Sequence, residues 1–143
     1  MSLSNVFSIA GSAMNAQSVR LNTTASNLAN AESISSSSGE TYRARKPVFE
    51  VRPLENAESF LTPGVEAGAG VQVAGVLESQ ASLRQEYSPS HPLADENGFI
   101  YYPNVNVVEE MADMISASRS FQINAEIMNT AKQMLQRTLS LGQ

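Results

Sequence analysis

Two stripes, one at each end of the chain, constrain the fold more than any other feature. At the start, Leu3, Phe7, Ala10, Met14, Gln17, Leu21, Thr24 and Leu28 follow one another in alternating steps of four and three. That spacing puts them on one face of an α-helix, with the period of a coiled-coil seam. No proline interrupts the stretch and its only glycine is Gly11, so the pattern predicts a helix of about 28 residues, roughly 42 Å long. Gly11 costs about 1 kcal/mol relative to alanine inside a helix, which points either to a close backbone approach or to a tolerated surface glycine. The seam closes on "NTTASNLANA" (22–31), where Leu28 is the one large apolar side chain among amides, hydroxyls and alanines.

From Val107 the pattern returns: Met111, Met114, Ser118, Phe121, Ala125, Met128, Lys132, Leu135 and Leu139 repeat the same steps, and Ile115, Ile127, Met134 and Leu141 widen the stripe. Asn106 stands where an N-cap belongs, Glu109 follows three residues on as in a capping box, and Glu110 and Asp113 lie near the positive end of the helix dipole. Lys132 and Arg137 fall toward the negative end, and Gly142 where a C-cap is expected.

The middle has a different character. "SISSSSGE" (33–40) reads as a flexible connector by composition. "TYRARKPVFEVRP" (41–53) and "GVQVAGVLESQ" (70–80) carry Tyr, Val and Phe in partial alternation without a helical period, and read as strands. Between them, two prolines and three glycines in "PLENAESFLTPGVEAGAG" (53–70) predict a mobile loop that offers a surface to partners. In "YSPSHPLADENGFIYYP" (87–103) an Asn97-Gly98 turn precedes a short aromatic run, so the chain reverses before entering the second helix.

The fold class is therefore α+β: long N- and C-terminal helices forming a coiled-coil-like layer, with a small β-rich middle segment and mobile loops. The divisions are 1–32, an N-terminal assembly helix; 33–106, the connector, β-rich segment and loops; and 107–143, a C-terminal assembly helix. A chain of 143 residues supports one ordinary core, and this middle can cover only part of two long stripes. Even paired with each other, the helices leave Ile9, Ala13, Ile115, Ile127 and Met134 exposed, and apolar patches of that extent mark interaction surfaces. The helices are thus expected to pack against other chains. Head-to-tail contacts between such ends generate tubes or filaments when the rotation does not close a ring. Met111, Met114, Met128 and Met134 suit an interface that must fit slightly different neighbours.

Chemistry is sparse. A net charge of −5 offers no field for nucleic acid or anionic lipid. The absence of cysteine excludes a disulfide framework, a thiolate metal site and a cysteine nucleophile. His91, the only histidine, sits between Pro89 and Pro92 with no metal-ligand spacing around it, and reads as a turn residue. "DENG" (95–98) lacks the earlier carboxylates and the downstream glutamate of a calcium loop. Arg43, Arg45 and Lys46 near Tyr42 have the residue types of a single-stranded nucleic-acid stacking site, but with Glu40 and Glu50 flanking they read as a solvated strand or an ion-paired one. Asn22-Thr23-Thr24 matches a glycosylation sequon inside a helix pattern. Neither a GxSxG elbow nor a Ser-Lys spacing is present. The chain is expected to be no enzyme, with no catalytic residue, metal, cofactor or small-molecule substrate. "MSLSNVFSIAGSAMNAQSVR" carries no charge before Arg20, and its apolar residues are spaced, unlike a secretory signal.

Taken together, "IAGSAMNAQSVRLNTTASNLANAES", "YRARKPVFEV", "GVQVAGVLES", "HPLADENGFIYYPNVNVVEEM", "ASRSFQINAEIMNTAKQML" and "TLSLGQ" span nearly the whole chain. They resemble the flagellar axial proteins of the rod and hook family, within it the proximal-rod type. Ala25 to Ala31 is similar to the block shared by rod and hook proteins, and Pro103 to Met111 to the entry of their C-terminal helix. Two departures stand out: Glu32 and Ser33 follow the "ANA" where the wider family commonly has Thr shortly after, and Ile123 replaces the alanine of an aromatic-x-Ala-Asn pattern at Phe121 to Asn124. The resemblance implies a structural subunit of the proximal rod of the bacterial flagellar basal body, in a torque-transmitting drive shaft that spans the periplasm. Its implied partners are other copies of itself, the rod proteins FlgB, FlgF, FlgG and FliE, and the flagellar type III export apparatus, with export needing no cleavable signal peptide. On this reading Phe7, Met14, Leu21, Leu28, Met111, Ile115, Phe121, Met128 and Leu135 form apolar seams between subunits, while Asn27, Asn30, Asn104 and Asn106 set register by hydrogen bonds. The rival readings are a soluble helical adaptor that binds a secretion chaperone or a membrane surface, and a small cell-wall hydrolase.

Overall fold

A computed structural model of the chain describes residues 3–53 and 69–141. Its elements run α1 (Leu3–Ala29), β1 (Arg45–Pro53), β2 (Ala69–Glu78), β3 (Arg84–Tyr87), β4 (Phe99–Tyr102) and α2 (Val107–Leu141). This is the α+β arrangement that the two stripes and the middle segment imply. Residues 54–68 of the expected loop, and Gly142 as a C-cap, lie outside the described residues.

The 27 residues of α1 form one uninterrupted helix, about 40 Å long at 1.5 Å per residue. At its end the Asn30 N–H is shared between the carbonyls of Ser26 and Asn27 at 3.2 Å, and Ala31 N–H bonds to Leu28 O. The last turn thus tightens toward three-residue bonding, as helix ends do when carbonyls run out of partners. At Gly11 an added Cβ would meet nothing within 4 Å among the described residues, so no close approach within the chain requires this glycine. Close approach occurs instead at Gly70 of β2, where a Cβ would stand 2.8 Å from Ser12 Oγ. That hydroxyl donates to Ile9 O at 2.8 Å and accepts from Val71 N–H at 3.1 Å, stitching α1 to the strand.

With no glycine or proline in its 35 residues, α2 runs unbroken to Leu141. Asn106 caps it: its Oδ1 accepts from the N–H groups of Val108 at 3.1 Å and Glu109 at 3.5 Å. The Glu109 carboxylate, spaced for a capping box, instead takes the Lys46 ammonium at 2.8 Å.

The middle holds two two-stranded antiparallel sheets, β1–β2 and β3–β4. In the second, Arg84 pairs with Tyr102 and Tyr87 with Phe99. The "RQEY" of β3 has no β-branched residue and is exposed throughout, which is why its sequence does not announce a strand. Its partner makes it one: the Tyr87 ring meets Phe99 edge-on at 5.3 Å, and the Arg84 guanidinium lies 4.3 Å over the Tyr102 ring. Asp95 organises the connection, its Oδ1 accepting from Asn97 N–H and Phe99 N–H and its Oδ2 from the Tyr101 hydroxyl. These bonds, that from Phe99 first, hold its carboxyl below the usual range. His91 has a turn role, its Nδ1 accepting from Leu93 N–H at 3.1 Å. The serine-rich stretch after α1 is tied down more than its composition suggests: Ser35 and Tyr101 exchange two backbone hydrogen bonds at 3.1 Å, and Thr41 Oγ1 donates to Ser37 O.

The described residues gather into two compact units, one of residues 3–19, 48–53, 69–75 and 116–141, the other of 20–47 and 76–115. Their buried apolar residues are Ala10, Ala16, Ala31, Ala44, Ala117 and Ala131, with Ile100 the one large member. On α2 the buried positions are Glu110, Ala117 and Ala131, and the half-covered ones Asp113, Met114, Ser118, Ser120, Phe121, Asn124, Ala125 and Met128. The covered face includes Met114, Ser118, Phe121, Ala125 and Met128 of the expected stripe, but its buried centre runs through Ala117 and Ala131, and the stripe's Lys132 is exposed. Alanine lets a neighbouring backbone come close, and the larger Met111, Ile115 and Leu135 are turned outward.

Candidate assembly surfaces

In the second unit the organising side chain is Asn27, 1% exposed. Its Nδ2 donates to Arg45 O at 2.8 Å, and its Oδ1 accepts from Arg45 N–H and from the Tyr42 hydroxyl, both at 2.9 Å. The Glu110 carboxylate is a further neighbour of this amide, which favours its charged form. An asparagine amide offers two donors and two acceptor sites, and one donor and both acceptor sites are used within the chain. Asn27 thus reads the backbone of Arg45 as a neighbouring strand would, fixing the start of β1 against α1.

Glu110, 4% exposed at the first turn of α2, is the charged member of this node. Burial pushes its carboxyl above the ordinary range, opposed by the Asn27 amide and the Lys46 ammonium; Asp113 and Glu109 push it further up. The same neighbourhood holds Lys46 above its usual value, chiefly through its bond to Glu109. Burial also raises the Tyr42 phenol against the pull of Arg45, whose guanidinium lies 5.5 Å over the Tyr42 ring and pairs with Glu78 at 3.0 Å. Arg20 and Asp113 close a third ion pair between α1 and α2 at 2.6 Å. Since Arg20 and Asn27 of α1 meet Asp113 and Glu110 of α2 in that order, the two helices run antiparallel in this unit.

Asn104 and Arg43 form a second clamp. Asn104 Oδ1 accepts from Ala44 N–H at 2.8 Å, its Nδ2 donates to Ser79 O and Ala81 O, and the Arg43 guanidinium reaches the same two carbonyls. Asn30 Nδ2 donates to Ser26 O at 2.8 Å, and Asn106 is the cap of α2. All four asparagines expected to set register between chains, Asn27, Asn30, Asn104 and Asn106, therefore make hydrogen bonds within their own subunit. Sequence reading missed Tyr42, Arg45 and Glu110 as partners of Asn27. The available signal was Glu110 standing seven residues before Ala117 and fourteen and twenty-one before Asn124 and Ala131, a charge in register with the small residues.

Among the apolar residues read as seams, Phe7, Met14, Leu21, Leu28, Phe121 and Met128 are half-buried, and Met111, Ile115 and Leu135 are exposed. Ile115, Ile127 and Met134 are at the surface, while Ile9 and Ala13 are half-covered. In the first unit a groove of about 500 Å³ opens between the start of α1 and the second half of α2, lined by Leu3, Val6, Ile123, Ile127, Ala131 and Met134, with Glu126 and Thr130 beside them. Ile123, the departure from the rod and hook pattern, is a wall of this groove and 59% exposed.

Covered alanines and outward-facing large side chains describe a class: proteins with two long helices whose large apolar side chains lie exposed, as at interaction surfaces. The comparisons make the class specific. Residues 7–32 match the flagella basal body rod protein family, and residues 96–141 match the C-terminal region of the flagellar basal body rod FlgEFG proteins. Over 143 residues, all of this chain and all of each relative, the chain is 52% identical to the flagellar basal-body rod protein FlgC of Salmonella typhimurium (strain LT2) and to that of Escherichia coli O6:H1. The Yersinia enterocolitica protein of the same name is 48% identical over the same span. The chain belongs to the FlgC family of flagellar basal-body rod proteins.

Proposed function

We propose that this chain builds the flagellar rod by packing its terminal helices against those of neighbouring subunits. As a member of its family it is a structural, non-enzymatic subunit of the basal-body rod. The observation that carries the mechanism is the inversion of side-chain size across the helix surfaces: alanines lie beneath, while Met111, Ile115, Ile123, Met134 and Leu139 lie outside. Water-exposed apolar area of this kind is stabilised on association at about 25 cal/mol per Å². Phe7, Met14, Leu21, Leu28, Met111, Ile115, Phe121, Met128 and Leu135 are the proposed seam residues. The neighbours are further copies of this chain and the rod proteins FlgB, FlgF, FlgG and FliE, in a shaft that spans the periplasm and carries motor torque. Delivery is through the flagellar type III export apparatus. Identity to rod proteins along the full length supports this reading over a soluble adaptor. The internal bonds of Asn27, Asn104 and Asn106 support a role for those residues in the fold of the subunit.

The test is rod completion in cells whose only copy of the chain carries Leu21→Asp or Leu135→Asp. Each buries a carboxylate in a seam and is expected to abolish complete rods while leaving the exported chain detectable. Complete rods with either variant would sink the seam assignment.

A further inference from the structure

Asn97 is the one asparagine of the chain that glycine follows; the others precede valine, alanine, threonine or leucine. That dipeptide carries a chemistry that its role as a turn does not use. The backbone nitrogen after an asparagine can attack the side-chain amide, and a following glycine, having no Cβ, hinders the approach least. Asn97 is exposed, whereas Gly98 is buried.

The fold holds the backbone groups that such an attack has to move. Asn97 N–H donates to Asp95 Oδ1, Gly98 N–H donates to Asp95 O, and Gly98 O accepts from Ser88 N–H, each at 2.9 Å. Gly98 has a φ of 81°, with the Tyr87 ring 2.9 Å and Pro89 Cβ 3.2 Å from where a Cβ would stand. To react, the Gly98 nitrogen must give up its proton, which here is engaged and shielded from water. The Asp95 carboxylate, bonded to the N–H groups of Asn97 and Phe99 on either side, stands beside that nitrogen. Its charge opposes a second negative charge on the amide.

We infer that Asn97 is a deamidation site which the folded turn at 95–99 shuts and local opening releases. In the opened segment the Gly98 nitrogen bonds to Asn97 Cγ, the Cγ–N bond of the side-chain amide breaks, and the amide group takes up the displaced proton and leaves as ammonia. Water then opens the cyclic imide at one of its two carbonyls, giving aspartate or isoaspartate, and nothing is oxidised or reduced. Isoaspartate routes the main chain through Cγ, adding one carbon just ahead of β4. That displaces Phe99 from Asp95, with which it shares two hydrogen bonds, and shifts the register of β4 against β3. Tyr101, which ties the connector through Ser35, moves with it. The product does not revert, so residue 97 records the time the segment has spent unfolded.

The purified full chain, incubated at neutral pH in buffer and in urea, tests this, with isoaspartate at residue 97 quantified by peptide mass spectrometry and isoaspartate-specific methyl labelling. A reaction that runs only through the opened turn is slowed by the opening equilibrium, so conversion in buffer should be at least about tenfold slower than in urea. Equal rates in the two solvents, or no conversion at residue 97 in urea, overturn the inference. Asp95→Ala should raise the rate in buffer about fivefold or more and leave the rate in urea unchanged; a folded Asp95→Ala chain that reacts as slowly as the parent in buffer overturns the role of the turn. Hydrogen exchange of the parent chain gives a readout that needs no variant: the Gly98 amide should be protected, and free exchange there overturns the shut state. Chains aged in urea and returned to buffer should recover less native circular dichroism as isoaspartate accumulates, while Asn97→Gln chains, whose longer side chain needs a larger ring, should recover fully. Equal recovery of the two overturns the effect of the modification on the fold.

Discussion

Replacing Asn27 by alanine is the sharpest test of how the second unit is held. The substitution removes three hydrogen bonds at once, to Arg45 N–H, Arg45 O and the Tyr42 hydroxyl, and takes a polar amide away from the Glu110 carboxylate. Each ordinary bond contributes about 1 kcal/mol net and a charged one about twice that, while groups left unpaired without water cost more. Water reaches the Arg45 side through the exposed strand, so part of the loss is recovered there; it does not readily reach Glu110, which is 4% exposed. The sum is about 3–4 kcal/mol, a large share of the 5–15 kcal/mol typical of a domain. Urea denaturation of the purified chain at neutral pH, followed by circular dichroism, measures it. Asn27→Asp separates hydrogen bonding from size: an aspartate can still accept from Tyr42 and Arg45 N–H, but it opposes Arg45 O and repels Glu110, so it should be about as damaging at neutral pH and recover on acidification. A loss below about 1 kcal/mol for Asn27→Ala, or an Asn27→Asp chain as stable as the parent at neutral pH, would refute the account of the node.

Glu110→Gln keeps a polar neighbour for Asn27 and removes a buried charge. The Glu110 carboxyl is raised in the folded chain, chiefly by burial, above its ordinary value of 4.5. The folded state therefore binds the proton more tightly than the unfolded state, and this group's contribution to stability falls as pH rises through the window between the two values. The glutamine chain should be the more stable above that window, and the difference should vanish below pH 4.5; denaturation midpoints across pH measure it. Gly70→Ala puts a Cβ 2.8 Å from Ser12 Oγ, so the hydroxyl must rotate away from Ile9 O and Val71 N–H, at about 1–2 kcal/mol. In a Ser12→Ala background the same change should cost much less, a non-additivity that a double-mutant cycle reads directly. Gly98→Ala combines a backbone φ of 81° with a Cβ 2.9 Å from the Tyr87 ring, and should lower stability by about 2 kcal/mol in thermal unfolding.

Both helices were legible because periodicity is a local property: steps of four and three need no tertiary information, and Asn106 caps by contacts within two and three residues. The strands β1 and β2 were legible from Val and Phe, and the turn before β4 from Asn97-Gly98. β3 was not, because "RQEY" becomes a strand only through its pairing with aromatic residues at 99–102. The serine-rich connector misled for the same reason, its order coming from Tyr101, sixty-six residues away from Ser35. The candidate surfaces divide likewise. That large apolar side chains would remain uncovered followed from counting two long stripes against a thin middle. Which of them remain uncovered did not, since the buried centre of α2's covered face runs through Ala117 and Ala131, one position away from the stripe that residue size alone suggests.

By itself, then, the sequence determined two uncapturable apolar stripes, an α+β order and a block of small polar residues at 22–31 whose kinship with rod proteins is plain. Only the tertiary structure decided what that block does. Asn27 has the donors and acceptors to serve either a neighbouring subunit or its own, and the choice depends on whether backbone from a distant segment arrives within 3 Å. Here Arg45 does, at 2.8 and 2.9 Å, with Tyr42 completing the set and Glu110 beside it. Hydrogen-bond capacity is written in a residue's chemistry, but its use is set by which groups the fold brings within bonding distance and shields from water.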